Sequence, residues 1–394
     1  MQQGAKKKKM NKKLIILLTM ITTLLSGCWD SKESERMLYL YGLGVDFEDD
    51  QYKVYAQIID FTNIAKSEQP SNPDAIQSEV GYATGRTISE AIYKLYNSVD
   101  EQLFWGHFSY FIFSQEVLKE GRINPIINTY MRFIDTRYQT WIYSTEDSVK
   151  DLMLSTPIIN KAISLSKMSD PLNSYKQSSF IEPLNIRNLL IGMDEPGHEV
   201  KIPLVRLVNI WETEKGKDPI SSIDGVTVVS PKENLGIISG NRANGLQWMN
   251  NKTVRSGISI KRNTGEEQLI SIILQNNKVT VKPVVENDKV LFDIHVRNVA
   301  TVSGFEDDVT EKEIRKLTEK KIKEDIKKTY QEGLNINADV YRLSEHLYRQ
   351  DVKAWKRMQK DGKIELDENS IRKIHVDLEK INSGRKTFDE TIKK

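Results

Sequence analysis

The sequence is poor in the residues that build covalent, metal or redox frameworks. It contains one cysteine, Cys28, and five histidines among 394 residues. A single cysteine excludes an internal disulfide, and it also excludes the paired Cys-x-x-Cys spacing of zinc and redox sites. After residue 27, no apolar run approaches the roughly 20 residues that a transmembrane helix needs. The rest of the chain is therefore expected to fold in water.

Catalytic motifs are missing as well. The histidines lie far apart and form no His-x-x-x-His pair: His107, His198, His295, His346 and His375. There is no Gly-x-Ser-x-Gly elbow and no phosphate-binding loop, and Gly42 and Gly44 lack the third glycine of a dinucleotide-binding turn. The many acidic residues fall on predicted solvent faces, which argues against a catalytic role for them. A carboxylate pair for glycoside hydrolysis is the enzymatic alternative that the sequence leaves open. We predict no enzyme, no metal site and no cofactor.

The chain begins with a cationic stem followed by an apolar core. The apolar core is Leu14–Leu25, which has no charge, and the lysines before it are Lys6, Lys7, Lys8, Lys9, Lys12 and Lys13. A segment of this length spans ~30 Å of hydrocarbon poorly and is typical of a cleaved secretory signal. Translation from Met10 instead of Met1 would leave that signal complete, so both starts remain open.

The signal ends in Leu25, Ser26, Gly27 and Cys28, which resembles the bacterial lipobox. In a lipobox the signal is cleaved before the cysteine, whose thiol receives diacylglycerol. Residues 1–27 are then expected to be removed, and the acyl chains on Cys28 bury enough methylene groups to anchor the protein to a membrane. The alternative is an ordinary buried cysteine that follows a signal peptide.

Removal of the signal changes the charge of the protein. Six lysines and no acidic residues are lost with residues 1–27, so the formal net charge falls from +2 to −4. A negative mature chain argues against nucleic acid as a partner. Trp29 follows the lipidated cysteine directly, and because an indole suits the lipid headgroup zone, we predict that it lies at the membrane interface.

The mature chain is too long for one comfortable core, and its mixed order of strands and helices predicts an α+β fold with two or three domains. The charged segment Glu212–Asp218 precedes Pro219 and is the predicted main boundary. Residues 28–212 then form an N-terminal α+β region of one or two subdomains, and residues 219–394 form a C-terminal α+β domain.

The C-terminal region reads as a meander of strands followed by helices. Lys278–Val285 and Lys289–Val302 form the clearest hairpin, with Asn287 and Asp288 at its turn. Thr310 opens a helix with a capping box, and a second apolar stripe begins at residue 337. We therefore predict an antiparallel sheet with two long helices on one face.

Short motifs with a characteristic order extend along the chain. They are Cys28-Trp29-Asp30 with Glu33, Gly42 with Gly44-Val45-Asp46, Gly85-Arg86-Thr87 with Glu90-Ala91, Phe104-Trp105-Gly106-His107, Gly225, and Gly245-Leu246-Gln247-Trp248. In their order and spacing these motifs resemble the Ger(x)C spore germination proteins, the lipoprotein C subunits of nutrient germinant receptors. The resemblance covers the chain from the signal nearly to its end.

This resemblance implies a non-enzymatic subunit that acts in assembly or signalling. Its implied partners are an A-type and a B-type integral membrane receptor subunit, and its implied location is the outer face of the inner spore membrane. The family's mature part is described as α+β and is commonly divided into three domains.

Two other classes stay open at this point. A solute-binding lipoprotein would capture a nutrient itself, although the C-terminal meander differs from the doubly wound lobes of that class. An envelope hydrolase is the other. Within the motifs, Gly106 and His107 admit two interpretations: a protonation sensor, or a glycine for close packing beside a histidine that caps a sheet end.

Overall fold

The computed structural model describes residues 37–59, 78–132, 137–214, 216–264, 266–286, 289–305 and 309–383, together with positions 12, 13 and 16. Within these residues the chain forms two β-sheets with helices packed against them. The predicted α+β class is confirmed.

The larger sheet contains ten of the described strands. In chain order they are β1 (Met37–Glu48), β2 (Gln51–Ile59), β3 (Ser78–Gly85), β4 (Gln102–Phe104), β5 (Tyr110–Ser114), β6 (Trp141–Thr145), β7 (Leu184–Asn185), β8 (Val200–Thr213), β9 (Gly216–Val229) and β10 (Asn234–Ser239). The order across the sheet is β10-β9-β8-β6-β5-β1-β2-β3, and β4 pairs with β1 while β7 pairs with β6. Strands β1, β5, β6 and β8 are mutually parallel along this path, so they give the sheet one direction.

Helices cover both faces of the larger sheet. They are α1 (Ile88–Tyr96), α2 (Gln115–Leu118), α3 (Ile123–Tyr130), α4 (Val149–Leu154), α5 (Pro171–Gln177) and α6 (Ile186–Asp194). One core contains apolar residues of α1, α2, α3 and α6, and the other contains residues of α4. Because both faces are covered, central strands such as β5 are buried along their whole length, as is usual where parallel strands pair.

The smaller sheet contains β11 (Arg255–Thr264), β12 (Glu266–Glu286), β13 (Lys289–Gly304) and β14 (Ile371–Asn382) in that order. The predicted β12–β13 hairpin is confirmed by pairs such as Val285 with Val290, although its turn residues Asn287 and Asp288 lie outside the described residues. The predicted antiparallel arrangement holds for the first three strands only, because β14 pairs parallel to β13. The chain leaves β13 at its C-terminal end, and the helices carry it back to the end of the sheet where β13 starts. Strand β14 therefore runs in the same direction as β13.

Four helices accompany this sheet: α7 (Gly245–Trp248), α8 (Glu311–Asn335), α9 (Leu343–Gln350) and α10 (Val352–Met358). Thr310 caps α8 as predicted, since the Glu313 amide donates to the Thr310 hydroxyl at 3.3 Å, while the Glu313 carboxylate pairs with Arg262 instead of closing the capping box. Of the two predicted long helices, only α8 is long. The second apolar stripe forms two short helices, α9 and α10, instead of one long helix. Asp351 ends α9, and its side chain caps α10 by accepting the Ala354 amide at 2.9 Å.

The predicted boundary Glu212–Asp218 lies in the turn region of the β8–β9 hairpin. Both strands belong to the larger sheet, and β10 extends that sheet to Ser239. The boundary is therefore not a linker between the sheets, because a hairpin keeps both of its strands in one ladder. How the chain divides into independently folding domains remains a prediction.

The two sheets share one hydrophobic core. Val226, Val228 and Ile238 of the larger sheet belong to the same cluster as Phe292 of β13 and Ile322 of α8. Trp248 is fully buried in this cluster, and its indole N–H donates to an Asp325 carboxylate oxygen at 3.2 Å.

A buried carboxylate also joins the start of β8 to the segments before α9 and after α10. Glu199, directly before β8, is 4% exposed and accepts the backbone amide of Asp339 at 2.6 Å. The same carboxylate forms an ion pair with Lys363. Burial raises the pKa of Glu199, and the ammonium of Lys363 opposes that shift.

We expect Glu199→Ala to lower the free energy of unfolding by about 2 kcal/mol, because it leaves a buried amide and a partly buried ammonium without their acceptor. Urea denaturation measures this change. Glu233→Ala removes an exposed acid and is the matched control, with an expected change near zero. An equal effect of both substitutions would contradict the role given to Glu199.

Two histidines face each other across the parallel β13–β14 pair. His295 and His375 are register partners, and their ring centroids lie 4.7 Å apart. Burial lowers the pKa of His295, and the neighbouring His375 lowers it further. The folded state therefore binds this proton less readily than the unfolded chain does, whose histidine pKa is about 6.5.

Acidification from about pH 7.5 to about pH 5.5 should lower the free energy of unfolding, since the unfolded chain takes up more protons in that window. His295→Gln should reduce this dependence. Urea denaturation at both pH values, with each protein compared to itself at the higher pH, separates the proton effect from any general loss of stability. An unchanged pH dependence in the variant would show that His295 does not contribute.

Candidate functional site

The predicted anchor residues lie outside the described residues: Leu25, Ser26, Gly27, Cys28 and Trp29. The structure does show where the chain enters the fold after them. Strand β1 begins at Met37, and nine residues of chain reach at most about 30 Å. A lipid on Cys28 would thus hold the start of β1 close to the membrane.

The start of β1 lies at one end of the larger sheet, which we call the leader-proximal end. Met37 pairs with Gln102 here, and Ile59 pairs with Ser78. Because β5 and β6 run parallel to β1, their first residues also lie at this end. The direction of β1 therefore determines which loops would face a membrane.

Aromatic side chains collect at the leader-proximal end. Tyr39 packs edge-on against Phe104, with ring centroids 5.9 Å apart. Tyr138 is 55% exposed, and Trp141 at the start of β6 is partly exposed. Aromatic rings with one polar edge suit the region between water and lipid.

The motif residues Gly106 and His107 belong to the same end. A Cβ on Gly106 would lie 2.4 Å from the Phe104 ring, so glycine permits a close approach there. The His107 ring is exposed and lies edge-on to Tyr39 at 5.4 Å. Partial burial and the charge of Arg137 hold the pKa of His107 below 6.5. These contacts favour the packing interpretation over a sensor that titrates near neutral pH.

A hairpin projects from the opposite end of the larger sheet. Strand β8 pairs with β6 no further than Val205 and continues to Thr213, about 25 Å beyond. We call residues 208–218 the hairpin arm. Its exposed apolar side chains are Ile210, which is 76% exposed, and Trp211, which is 49% exposed. At the base of the arm, the Leu207 amide donates to Asp147 at 2.7 Å.

A cavity lies between the larger sheet and the segments around α7 and α9, and we call it the cleft. Its volume is about 340 Å³. It is lined by α6, the start of β8, α7 with the residues after it, and the segment before α9. Apolar side chains form much of its lining: Ile191, Val226, Leu246 and Val340.

The cleft also contains a charged network. Arg342 donates to Glu195 at 3.1 Å and pairs with Glu345, and Lys252 pairs with Glu182 at 2.5 Å. Lys201 donates to the Val340 carbonyl at 2.8 Å. Burial lowers the pKa of Lys201, and the positive charge of Arg342 lowers it further.

Sequence reasoning missed the cleft. One local signal was available, because Lys201 interrupts an otherwise apolar strand from Val200 to Val205, where a charged side chain is unusual. The acceptor of that lysine, the Val340 carbonyl, lies 139 residues away in the chain, and no local pattern connects the two.

The described part of the chain has neither a membrane-spanning helix nor a metal-binding cluster. No helix within it is long and apolar enough to span a membrane. No group of three or more histidine, cysteine or acidic side chains within the described ranges is placed to hold a metal ion.

Comparisons with known proteins agree along most of the chain. Residues 30–207 match the model of the spore germination protein N-terminal domain, and residues 224–384 match that of the spore germination B3/GerAC-like C-terminal family. Spore germination protein B3 of Bacillus subtilis (strain 168) is 22% identical over 91% of this chain and 95% of its own length. Spore germination protein KC of the same organism is 21% identical over 92% of this chain and 93% of its own length.

A solved structure shares the fold. The crystal structure of the GerBC protein superposes with a TM-score of 0.54 at 17% identity, covering 86% of this chain and 96% of that one. Both family models match, one on each side of residues 208–223, and together they span most of the sequence. The chain therefore belongs to the spore germination B3/GerAC-like family, the Ger(x)C family that its motifs resemble.

Proposed function

We propose that this protein is a lipid-anchored, non-enzymatic subunit of a spore nutrient germinant receptor. The observation that carries the proposal is the match of both family models downstream of the sequence Leu25-Ser26-Gly27-Cys28, with the first model starting at residue 30. Its relatives over nearly the full length are named as spore germination proteins. The acyl chains on Cys28 would hold the folded part at the outer face of the inner spore membrane.

The partners in this proposal are the A-type and B-type integral membrane subunits. Anchoring at Cys28 confines the protein to the same surface as those subunits, which raises its effective concentration near them without any new contact. A role in assembly or signalling then needs a positioned surface but no catalytic group. The short chain between Cys28 and β1 supports such positioning, because it allows the body little freedom to move away from the membrane.

Cys28→Ala tests the anchor. We expect the variant to lose the diacylglycerol mass on its mature N-terminus, to leave the membrane fraction, and to fail to restore nutrient germination in a deletion strain that still sporulates. Mass spectrometry, fractionation and germination assays measure these three outcomes. Ser26→Ala keeps a small residue in the lipobox and is the matched control, with lipidation expected to persist.

The proposal would be wrong if the Cys28→Ala protein remained in the membrane fraction and supported normal germination. It would also be wrong if the deletion strain germinated normally with every nutrient.

Trp29→Ala tests the position of the indole. In vesicles that contain brominated lipids, quenching of the lipidated protein's tryptophan fluorescence should fall strongly in this variant while lipidation stays intact, because Trp29 is predicted to lie among the headgroups. Trp211→Ala is the matched control. Because the hairpin arm lies at the end of the sheet opposite the start of β1, removal of the Trp211 indole should leave the quenching by the lipids unchanged. Equal quenching in wild type and Trp29→Ala would argue against an interfacial Trp29.

A further inference from the structure

The charged side chains around the cleft differ in whether they have a partner of opposite charge. Its carboxylates have cationic partners within the protein: Glu182 with Lys252, Glu195 with Arg342 and Arg349, Glu199 with Lys363, and Glu345 with Arg342 and Arg349. Lys201 is different. Among the described residues, no carboxylate lies within ion-pair distance of its ammonium, whose acceptor is the Val340 carbonyl.

An ammonium has three N–H donors, so one carbonyl leaves two of them without a protein acceptor. Lys201 is half-buried, and partial removal of such a charge from water without a counter-ion costs free energy, which is the direction of the lowered pKa of Lys201. A bound anion would remove this cost. The position therefore favours a ligand that brings one negative charge into the cleft.

The surrounding cleft narrows the class of that ligand. A dianion such as phosphate would bring more charge than one ammonium balances, and it would also face the nearby carboxylates of Glu182 and Glu199. A volume of about 340 Å³ suits a small molecule, and the apolar side chains of Val226 and Leu246 offer contact to an uncharged part. A monoanion with an apolar group meets both conditions.

We propose that the cleft binds a small monocarboxylate, with its carboxylate on the Lys201 ammonium and its apolar group against Val226, Leu246 and Val340. Such a site lies between the larger sheet and the segments around α7 and α9, so an occupant contacts all of them at once. The proposal does not depend on the lipid anchor or on the receptor role.

Isobutyrate and isobutyramide test this site as a matched pair of probes, because they have nearly the same shape and differ in charge. Saturation-transfer NMR on the full chain in detergent should detect isobutyrate, with affinity at least about tenfold higher than for isobutyramide, as expected for a charge-assisted hydrogen bond. No isobutyrate signal at millimolar concentrations, or equal binding of both probes, would overturn the proposal.

Variants assign the binding to the cleft. Lys201→Met keeps most of the side-chain length and removes the charge, and it should weaken isobutyrate binding about tenfold or more while isobutyramide binding stays the same. Lys150→Met removes an exposed lysine of α4 and should change neither. Unchanged isobutyrate binding in folded Lys201→Met, checked by circular dichroism, would refute the site. If that variant does not fold, Leu246→Trp takes its place: it fills the cleft and should weaken the binding of both probes, and unchanged isobutyrate binding would refute the site.

Discussion

The pairing of β1 is the constraint on which the larger sheet depends. This strand bonds antiparallel to β2 on one side and parallel to β4 and β5 on the other. Its central residues, among them Leu43 and Val45, are nearly fully buried, so its register cannot slip without moving apolar side chains out of the core. A strand that begins nine residues after Cys28 thereby sets the direction of β5, β6 and β8.

Local signals in the sequence predicted local structure well. The Thr-x-x-Glu sequences at Thr87 and Thr310 predict helix starts, and α1 and α8 do begin there. The alternating apolar residues after Lys289 do form a strand of the smaller sheet. The apolar segment Leu103–Ser114 predicts one core strand, but this prediction is wrong in its middle, where residues 105–109 turn between β4 and β5. Alternation alone does not reveal this turn, because Trp105 and Phe108 are buried within it as if they belonged to a strand.

Such local signals could not predict how distant segments of the chain pair. The parallel addition of β14 depends on where α8, α9 and α10 return the chain, and the cleft depends on segments more than a hundred residues apart. The anchor is the opposite case, since Cys28 was predicted from sequence alone and lies outside the described residues. Sequence thus identified the proposed attachment, whereas only the structure indicated which end of the sheet lies near it.

One strand connects two distant places in this molecule. Strand β8 starts beside Lys201 in the cleft and ends past Trp211 in the hairpin arm, and an extended strand resists stretching because its backbone is already near full length. A pull on the exposed indole would therefore be transmitted along β8 to the cleft. The hydrogen bond from the Leu207 amide to the Asp147 carboxylate fixes β8 at the base of the arm, so the arm would pivot about this contact.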